Sequence, residues 1–553
     1  MKGISLLLTF CFISFISPAQ SWQDTVSKIE KLFTRYQPAN PGCQLVVSRN
    51  GTILFSKAWG MADLEHDIKL TTLSKTEAGS VSKQFTAAAI LLLEQQGKLS
   101  LNDEVHKYLP ELPDYGTPIT LRQMMQHTSG LRDWGSMAEL SGWPRTTKTY
   151  SNSDVLTIVS RQRSLNHLPG AEFSYSNSNY NLFAIIVERV SGMNLAQFTK
   201  KYIFDPAGMQ HTEWRDDFRR IVAGRALAYD KSGDHYETDM PNENAYGNGG
   251  LLTTAEDLAV WNQYYLSGKF GSPSLLPQML HTTPLNNGGE NNYGAGLTFG
   301  EYRGWKYIAH NGSTAGYRSN LEQYPETGLS FAWLSNTSEF DDAEEDIFGM
   351  VEDIFLPKKT AAVAVPAKKE QPAIYPLTAA ALGSFAGWYQ NQRTGQGIRL
   401  VLKEDKLYYS PKAYVVPIAP NVFTDGKSVF SFRSKGFLHM ITAGKDTIPY
   451  KRMDSVRLGD DLQQYTGSYY SAEADARFRI LLQKGHLLLH RETGVDIPLS
   501  TTYKDGFIFP GGIVFFERDK KNAIKNMKVS IARARKVEFV RVWEASDKIV
   551  EAN

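Results

Sequence analysis

The 553-residue chain has only two cysteines, Cys11 and Cys43. If the N-terminal leader described below is removed, Cys43 alone remains, which excludes an intrachain disulfide framework. Cys43 opens the apolar run Cys43-Gln44-Leu45-Val46-Val47 and reads as a buried structural thiol. The chain also lacks a charge excess: its formal net charge is +2, with no long Lys/Arg run, so there is no electrostatic case for a nucleic-acid partner. No H-x-x-x-H-type pair around a glutamate, no paired cysteines and no phosphate-binding glycine loop occurs, so neither metal nor nucleotide cofactor is implied. Beyond the first residues no apolar stretch reaches the ~20 residues a membrane helix needs.

Those first residues form a recognisable address. Lys2 is followed by a nearly continuous apolar run from Ile4 to Ile16, then by Ser17-Pro18-Ala19-Gln20. A charged start, a short apolar run and small residues make a signal peptide over residues 1–20, and hence a secreted or periplasmic protein. A lipoprotein anchor at Cys11 would want a small residue where Phe10 stands.

Composition is that of globular protein, 42% hydrophobic and 21% charged, and the length calls for two to four domains at roughly 100–200 residues each. Residues 22–35 have helical periodicity. Residues 44–48 and 52–57 flank Asn50-Gly51, a two-residue hairpin signal. Helical patterns follow over 86–96, 121–126, 181–190, 254–266 and 344–355, and strand-like runs over 305–310, 319–324 and 329–335. Strands at both ends with helices between predict an α/β domain over 21–356 whose sheet joins its first and last segments.

Residues 357–376, rich in Ala, Lys and Pro, read as a linker. Beyond it the chain repeats with an offset of 80. Phe385-Ala386-Gly387-Trp388-Tyr389 is matched by Tyr465-Thr466-Gly467-Ser468-Tyr469, and Leu400-Val401-Leu402 by Ile480-Leu481-Leu482. Both copies alternate apolar and polar residues and carry turn signals, so two small antiparallel β-barrels are expected, over 377–456 and 457–553.

Three short motifs carry chemistry. Ser80-Val81-Ser82-Lys83 opens a helix, and a spacing of three puts Ser80 and Lys83 on one face. A serine hydroxyl needs a base within reach, and a lysine with a depressed pKa supplies one. Tyr175-Ser176-Asn177 offers a phenol and a carboxamide pointing the same way from an extended stretch. His310-Asn311-Gly312-Ser313 ends an apolar strand; His310 is suited to binding a substrate carboxylate or aiding proton transfer, and Gly312 lets a substrate lie close to the strand. Each motif alone is weak.

Together with Gly97-Lys98-Leu99-Ser100-Leu101-Asn102-Asp103, Gln126-His127-Thr128-Ser129-Gly130-Leu131 and Gly249-Gly250-Leu251-Leu252-Thr253-Thr254, in this order, they give residues 30–356 a marked resemblance to a known group. The chain resembles the penicillin-recognising serine hydrolases: class C β-lactamases, D-alanyl-D-alanine carboxypeptidases and D-aminopeptidases. That resemblance implies an antiparallel sheet with helices on both faces plus a helical subdomain, followed here by two lipocalin-like barrels. It implies an acyl-enzyme on Ser80, with Lys83 and Tyr175 sharing the base and acid work in either order. It further implies Asn177 holding the substrate amide, Gly312 flanking it, and an oxyanion hole from the N–H groups of Ser80 and Ser313. His127 is a landmark of the resemblance and reads as structural.

Efficient class C β-lactamases carry Lys-Thr-Gly where this chain has His310-Asn311-Gly312, which resembles the peptidase, D-aminopeptidase and esterase branches instead. The expected activity is therefore a peptidase or amidase on D-amino-acid-containing peptides, cell-wall fragments among them. The alternatives are an esterase or weak β-lactamase of the same fold, and a non-catalytic penicillin-fold sensor or scaffold. D-aminopeptidases of this group use a loop from a barrel to limit access to the site, and the loop 393–397 is the candidate here.

Overall fold

The computed structural model describes residues 22–145, 147–341, 345–359, 374–434, 436–442, 446–456 and 461–542. The signal peptide expected over 1–20, and most of the linker expected over 357–376, lie outside the described residues.

The first domain is built on a six-stranded antiparallel sheet. Its strands are β1 (Cys43–Arg49), β2 (Thr52–Trp59), β3 (Thr298–Tyr302), β4 (Trp305–Thr314), β5 (Tyr317–Tyr324) and β6 (Leu329–Ser335), in the order β3-β4-β5-β6-β1-β2. The first strand of this sheet in chain order pairs with its last, Cys43 opposite Ser335 and Arg49 opposite Leu329. β1 turns into β2 through Asn50 and Gly51, both at positive φ as a tight two-residue hairpin requires.

Both faces of the sheet are covered. On one lie α1 (Trp22–Leu32) and α5 (Ile347–Phe355), packing Ile29, Phe33 and Val351 against Val47 and Phe331. Cys43 is buried in this layer, and burial pushes its thiol pKa up. On the other face lie α2 (Lys83–Gln95) and α4 (Ala255–Leu266). Residues 83–93 of α2 are buried without a break, so this helix, apolar after its first turn, runs through the middle of the domain. Against it packs α3 (Asn177–Ser191), the main helix of a helical subdomain that fills residues 121–207. Among the described residues no helix is long and apolar enough to cross a membrane.

The rest of the chain forms two closed eight-stranded antiparallel barrels, one from Gly387–Asn391 to Thr447–Met453 and one from Gly467–Ser471 to Ala534–Val542. Closure leaves neither barrel with an exposed edge. Their interiors are filled by aromatic and aliphatic side chains, among them Tyr389, Phe423 and Phe430 in the first and Tyr469, Phe478 and Phe539 in the second.

The second barrel is fastened to the helical subdomain. Met137 and Leu140 belong to its apolar core. Arg132, buried, pairs with Glu473 and donates to Ser164 Oγ (2.8 Å) and to the Arg535 carbonyl (3.1 Å). The hairpin joining Ile524–Ile531 to Ala534–Val542 is held by its backbone. Its Arg533 N–H donates to Ser136 Oγ (3.2 Å) and its Arg533 carbonyl accepts from Asn166 Nδ2 (2.8 Å).

Candidate active site

Ser80 sits in a single 3₁₀ turn, Gly79–Ser82, that feeds directly into α2. The turn packs against β4, which does not end at His310 as its sequence suggests but continues through Gly312 to Thr314. Gly312 is expected to let a substrate lie close to the strand, yet its lack of a side chain serves another contact. An added Cβ would lie 2.2 Å from the Ala78 carbonyl and 2.9 Å from Ser80 N, so the serine turn can seat itself only on a glycine. The neighbour pressed against Gly312 is thus the protein's own backbone.

Beyond residue 309, β4 has no pairing with β3. The β4–β5 hairpin closes on Thr314 opposite Tyr317, and antiparallel alternation then aims the N–H of Ser313 away from β5, toward the serine turn. An added Cβ at Gly79 would stand 2.8 Å from Ser313 N, which measures how near the two segments are. Ser80 and Ser313 therefore stand side by side on the wall of a cavity of about 530 Å³. Tyr175, Asn177, His310 and Gly312 line the same cavity.

Lys83 Nζ donates to Ser80 Oγ at 3.0 Å and to the Asn248 carbonyl at 2.5 Å. The amine is wholly buried, and its pKa is well below the usual lysine value, first because burial penalises the charge, then because the guanidinium groups of Arg533 and Arg145 repel it. A neutral amine has a lone pair for the Ser80 proton. Ser82, the other serine of the motif, turns away and accepts from Leu251 N–H.

Tyr175 closes the opposite side. Its ring lies 4.9 Å from Lys83 Nζ. Its hydroxyl is buried without a partner in hydrogen-bonding geometry among the described residues, and burial drives its pKa up, against the opposing pull of nearby Ser80 and Arg533. Asn177 is not in an extended stretch: Ser176 is the extended residue, and Asn177 is the first of α3, with its N–H donated to Asp133 Oδ2 (2.7 Å). His127, expected to be structural, is fully buried and packs its ring on Tyr175, centroids 4.2 Å apart.

For His310 the geometry bears on the first of its two expected roles, the binding of a carboxylate. Its Nδ1 lies 2.6 Å from the Asn311 carbonyl, which can only accept, so Nδ1 carries hydrogen. Burial, with Lys83 nearby, drops its pKa to about 3, so the ring is neutral and Nε2 accepts from the Tyr293 hydroxyl at 2.9 Å. A neutral ring with both nitrogens occupied lacks the charge to bind a carboxylate.

The cavity also has walls that the motifs do not reveal. Arg145 comes from the connection after the helix Trp134–Leu140 and is held by buried Glu243, Nε to Oε2 at 3.1 Å. Arg533 comes from the second barrel, its guanidinium 4.7 Å from the Tyr175 ring centroid. The loop 393–397 does touch the first domain, through Arg393 and Glu172 at 2.9 Å, but it is the Arg533 hairpin that lines the cavity. Tyr293 lies between two asparagines and a glycine-rich turn, and Arg533 in Ala532-Arg533-Ala534-Arg535. Only the unusual basic turn of the latter offered a signal.

The β-lactamase family model matches residues 27–352, more than half of the chain. The chain belongs to the β-lactamase family. Relatives within reach differ in name. Penicillin-binding protein 4* of Bacillus subtilis is 29% identical over 382 residues, 66% of this chain and 82% of that protein. A D-aminopeptidase of Brucella canis is 25% identical over 454 residues, 80% of this chain and 82% of that one. The octameric penicillin-binding protein homologue from Pyrococcus abyssi superimposes with a TM-score of 0.53 at 20% identity, covering 78% of this chain and 99% of its own, which bears on the fold alone. Within this β-lactamase-family domain, Ser80, Lys83 and Tyr175 are brought together at one cavity.

Proposed function

We propose that the chain is an exported hydrolase that forms an acyl-enzyme at Ser80 and cleaves peptides or amides containing D-amino acids, or related small acyl substrates. The observation that carries this reading is the 3.0 Å contact between Ser80 Oγ and a fully buried Lys83 whose pKa is depressed. The Brucella canis relative, named for D-aminopeptidase activity, matches 80% of the chain and supports the substrate class.

The opposed shifts divide the labour. Lys83, held neutral, takes the proton as Ser80 Oγ attacks the carbonyl carbon; the developing oxyanion is met by the N–H groups of Ser80 and Ser313. Tyr175, held protonated, donates to the leaving amine and recovers a proton from Lys83, which lies against its ring. Water then adds to the ester, giving up its proton to the same pair, and Ser80 leaves as the hydroxyl. Export rests on residues 1–20, and the N-terminal sequence of the protein recovered outside the cytoplasm checks it.

Intact-protein mass spectrometry after incubation with a fluorescent penicillin, followed by turnover of free and N-acetylated D-aminoacyl amides, tests the reading. An adduct and turnover present in the wild type and absent from Ser80→Ala support it. Equal behaviour of the two proteins, or silence of the wild type toward penicillin, amides and esters alike, overturns it.

A further inference from the structure

Charge around the cavity is distributed unevenly. None of the described residues lining it is Asp or Glu, whereas Arg145 and Arg533 both line it, with Lys83 just behind Ser80. The two guanidinium groups are not equivalent. Arg145 is bound through two contacts to Glu243, a carboxylate with only 1% of its side chain exposed, so its charge is matched and its donors are largely occupied.

Arg533 is different. Its side chain is 46% exposed, and the nearest carboxylate, Asp133, is 3.9 Å away and already committed. Asp133 Oδ2 accepts from Asn177 N–H and its Oδ1 from Ser136 N–H. The Arg533 guanidinium makes no hydrogen bond to a described residue, while the Arg533 backbone is pinned on both sides by Ser136 and Asn166. A guanidinium with free donors, on an anchored backbone, stacked over Tyr175 and facing a cavity without acids, is arranged to take a planar anion. The same charge opposes an ammonium group. His310, neutral and with both nitrogens engaged, does not compete for that anion.

We propose that Arg533, delivered by the second barrel, is a specificity-determining residue that binds a free carboxylate on the substrate and disfavours substrates carrying a free amine next to the scissile bond. The inference rests on the hydrolytic reading above and narrows it to carboxylate-bearing acyl compounds.

Binding and turnover separate the two. Three thioesters of N-acetyl-D-alanine serve as probes, differing only in the leaving thiol: mercaptoacetate (anionic), mercaptoacetamide (neutral) and thiocholine (cationic, and without an amine lone pair that could attack the thioester). Their affinities for full-length Ser80→Ala are compared by calorimetry with those for Ser80→Ala/Arg533→Gln and Ser80→Ala/Arg533→Glu. The expected result is that the anionic probe binds about tenfold or more tightly than the cationic one. Arg533→Gln should bring the two within about threefold, and Arg533→Glu should reverse their order. An unchanged ratio in the Gln variant, or no measurable preference in Ser80→Ala, overturns the proposal. Thiol release by the wild type is scored separately. If none of the probes is cleaved the hydrolytic reading fails, while the binding ratios still judge Arg533. Thermal midpoints of the variants equal to that of Ser80→Ala confirm that the hairpin keeps its place.

Discussion

The guanidinium of Arg533 lies over the ring of Tyr175, 4.7 Å from its centroid, so a residue of the second barrel rests on a wall of the cavity that holds Ser80. Next to burial, Arg533 is also the strongest of the influences that hold the Lys83 pKa down.

Replacing Arg533 by Gln should therefore make Lys83 easier to protonate. If neutral Lys83 is the base, kcat/KM rises with pH as Lys83 loses its proton, and the acid limb of the profile should move to higher pH in Arg533→Gln. A pH–rate profile with the neutral thioester checks this. A limb that stays put, or moves to lower pH, would assign it to another group.

Tyr293→Phe removes the one donor to His310 Nε2 among the described residues while keeping the ring. A buried acceptor left without a partner costs about 1–3 kcal/mol, so denaturant titration should show a loss of that size. Turnover should fall as well, because the imidazole is no longer held against the cavity wall.

Glu473→Ala leaves the buried Arg132 guanidinium without its counter-charge. The expected cost is about 3–5 kcal/mol. Because Arg132 also holds the Arg535 carbonyl, the hairpin should loosen and the charge preference of the cavity should weaken with it. Measuring stability and probe selectivity on one variant shows whether the two are linked.

On the far side of the sheet, Tyr324 Oη lies 2.6 Å from Glu322 Oε1 and 2.9 Å from Glu352 Oε1. One phenol has one hydrogen, so one of the two contacts needs a proton from a carboxyl. Burial and the facing Glu322 carboxylate push Glu352 up to about 9, and the folded protein holds that proton where the unfolded chain, with a glutamate pKa near ~4.3, has released it. Folding stability should be fullest below the unfolded value and fall as pH rises toward the folded one. Glu352→Gln carries its own hydrogens, and at about pH 8–9 it should be at least about 1 kcal/mol more stable than the wild type, with the difference shrinking near about pH 5. Denaturant midpoints at the two pH values decide it.

Local signals were the legible part of this chain. Asn50-Gly51 forms its hairpin because both residues tolerate positive φ, and the period-two pattern repeating at an offset of 80 became two closed barrels of eight strands each. Ser80, Lys83, Tyr175 and His310 stand in ordered blocks and line or adjoin one cavity. What could not be read was set by tertiary approach. Gly312 looks like the end of a strand until the serine turn is seen resting on it. Tyr293 and Glu243 matter through single contacts to His310 and Arg145 that no spacing encodes. A barrel loop at the site was expected from the first barrel, and the residue that arrives there comes from the second, since Arg393 is spent on Glu172 and Asp446.

The seating of the Arg533 hairpin also has a consequence in time. A ribosome delivers Ser80, Lys83 and Tyr175 early, and Arg533 only after the first barrel and most of the second have been made. Until then Met137, Leu140 and the Arg132 guanidinium have no barrel to cover them, and the cavity has no outer cation, so the first domain reaches its full packing only when the late hairpin is in place.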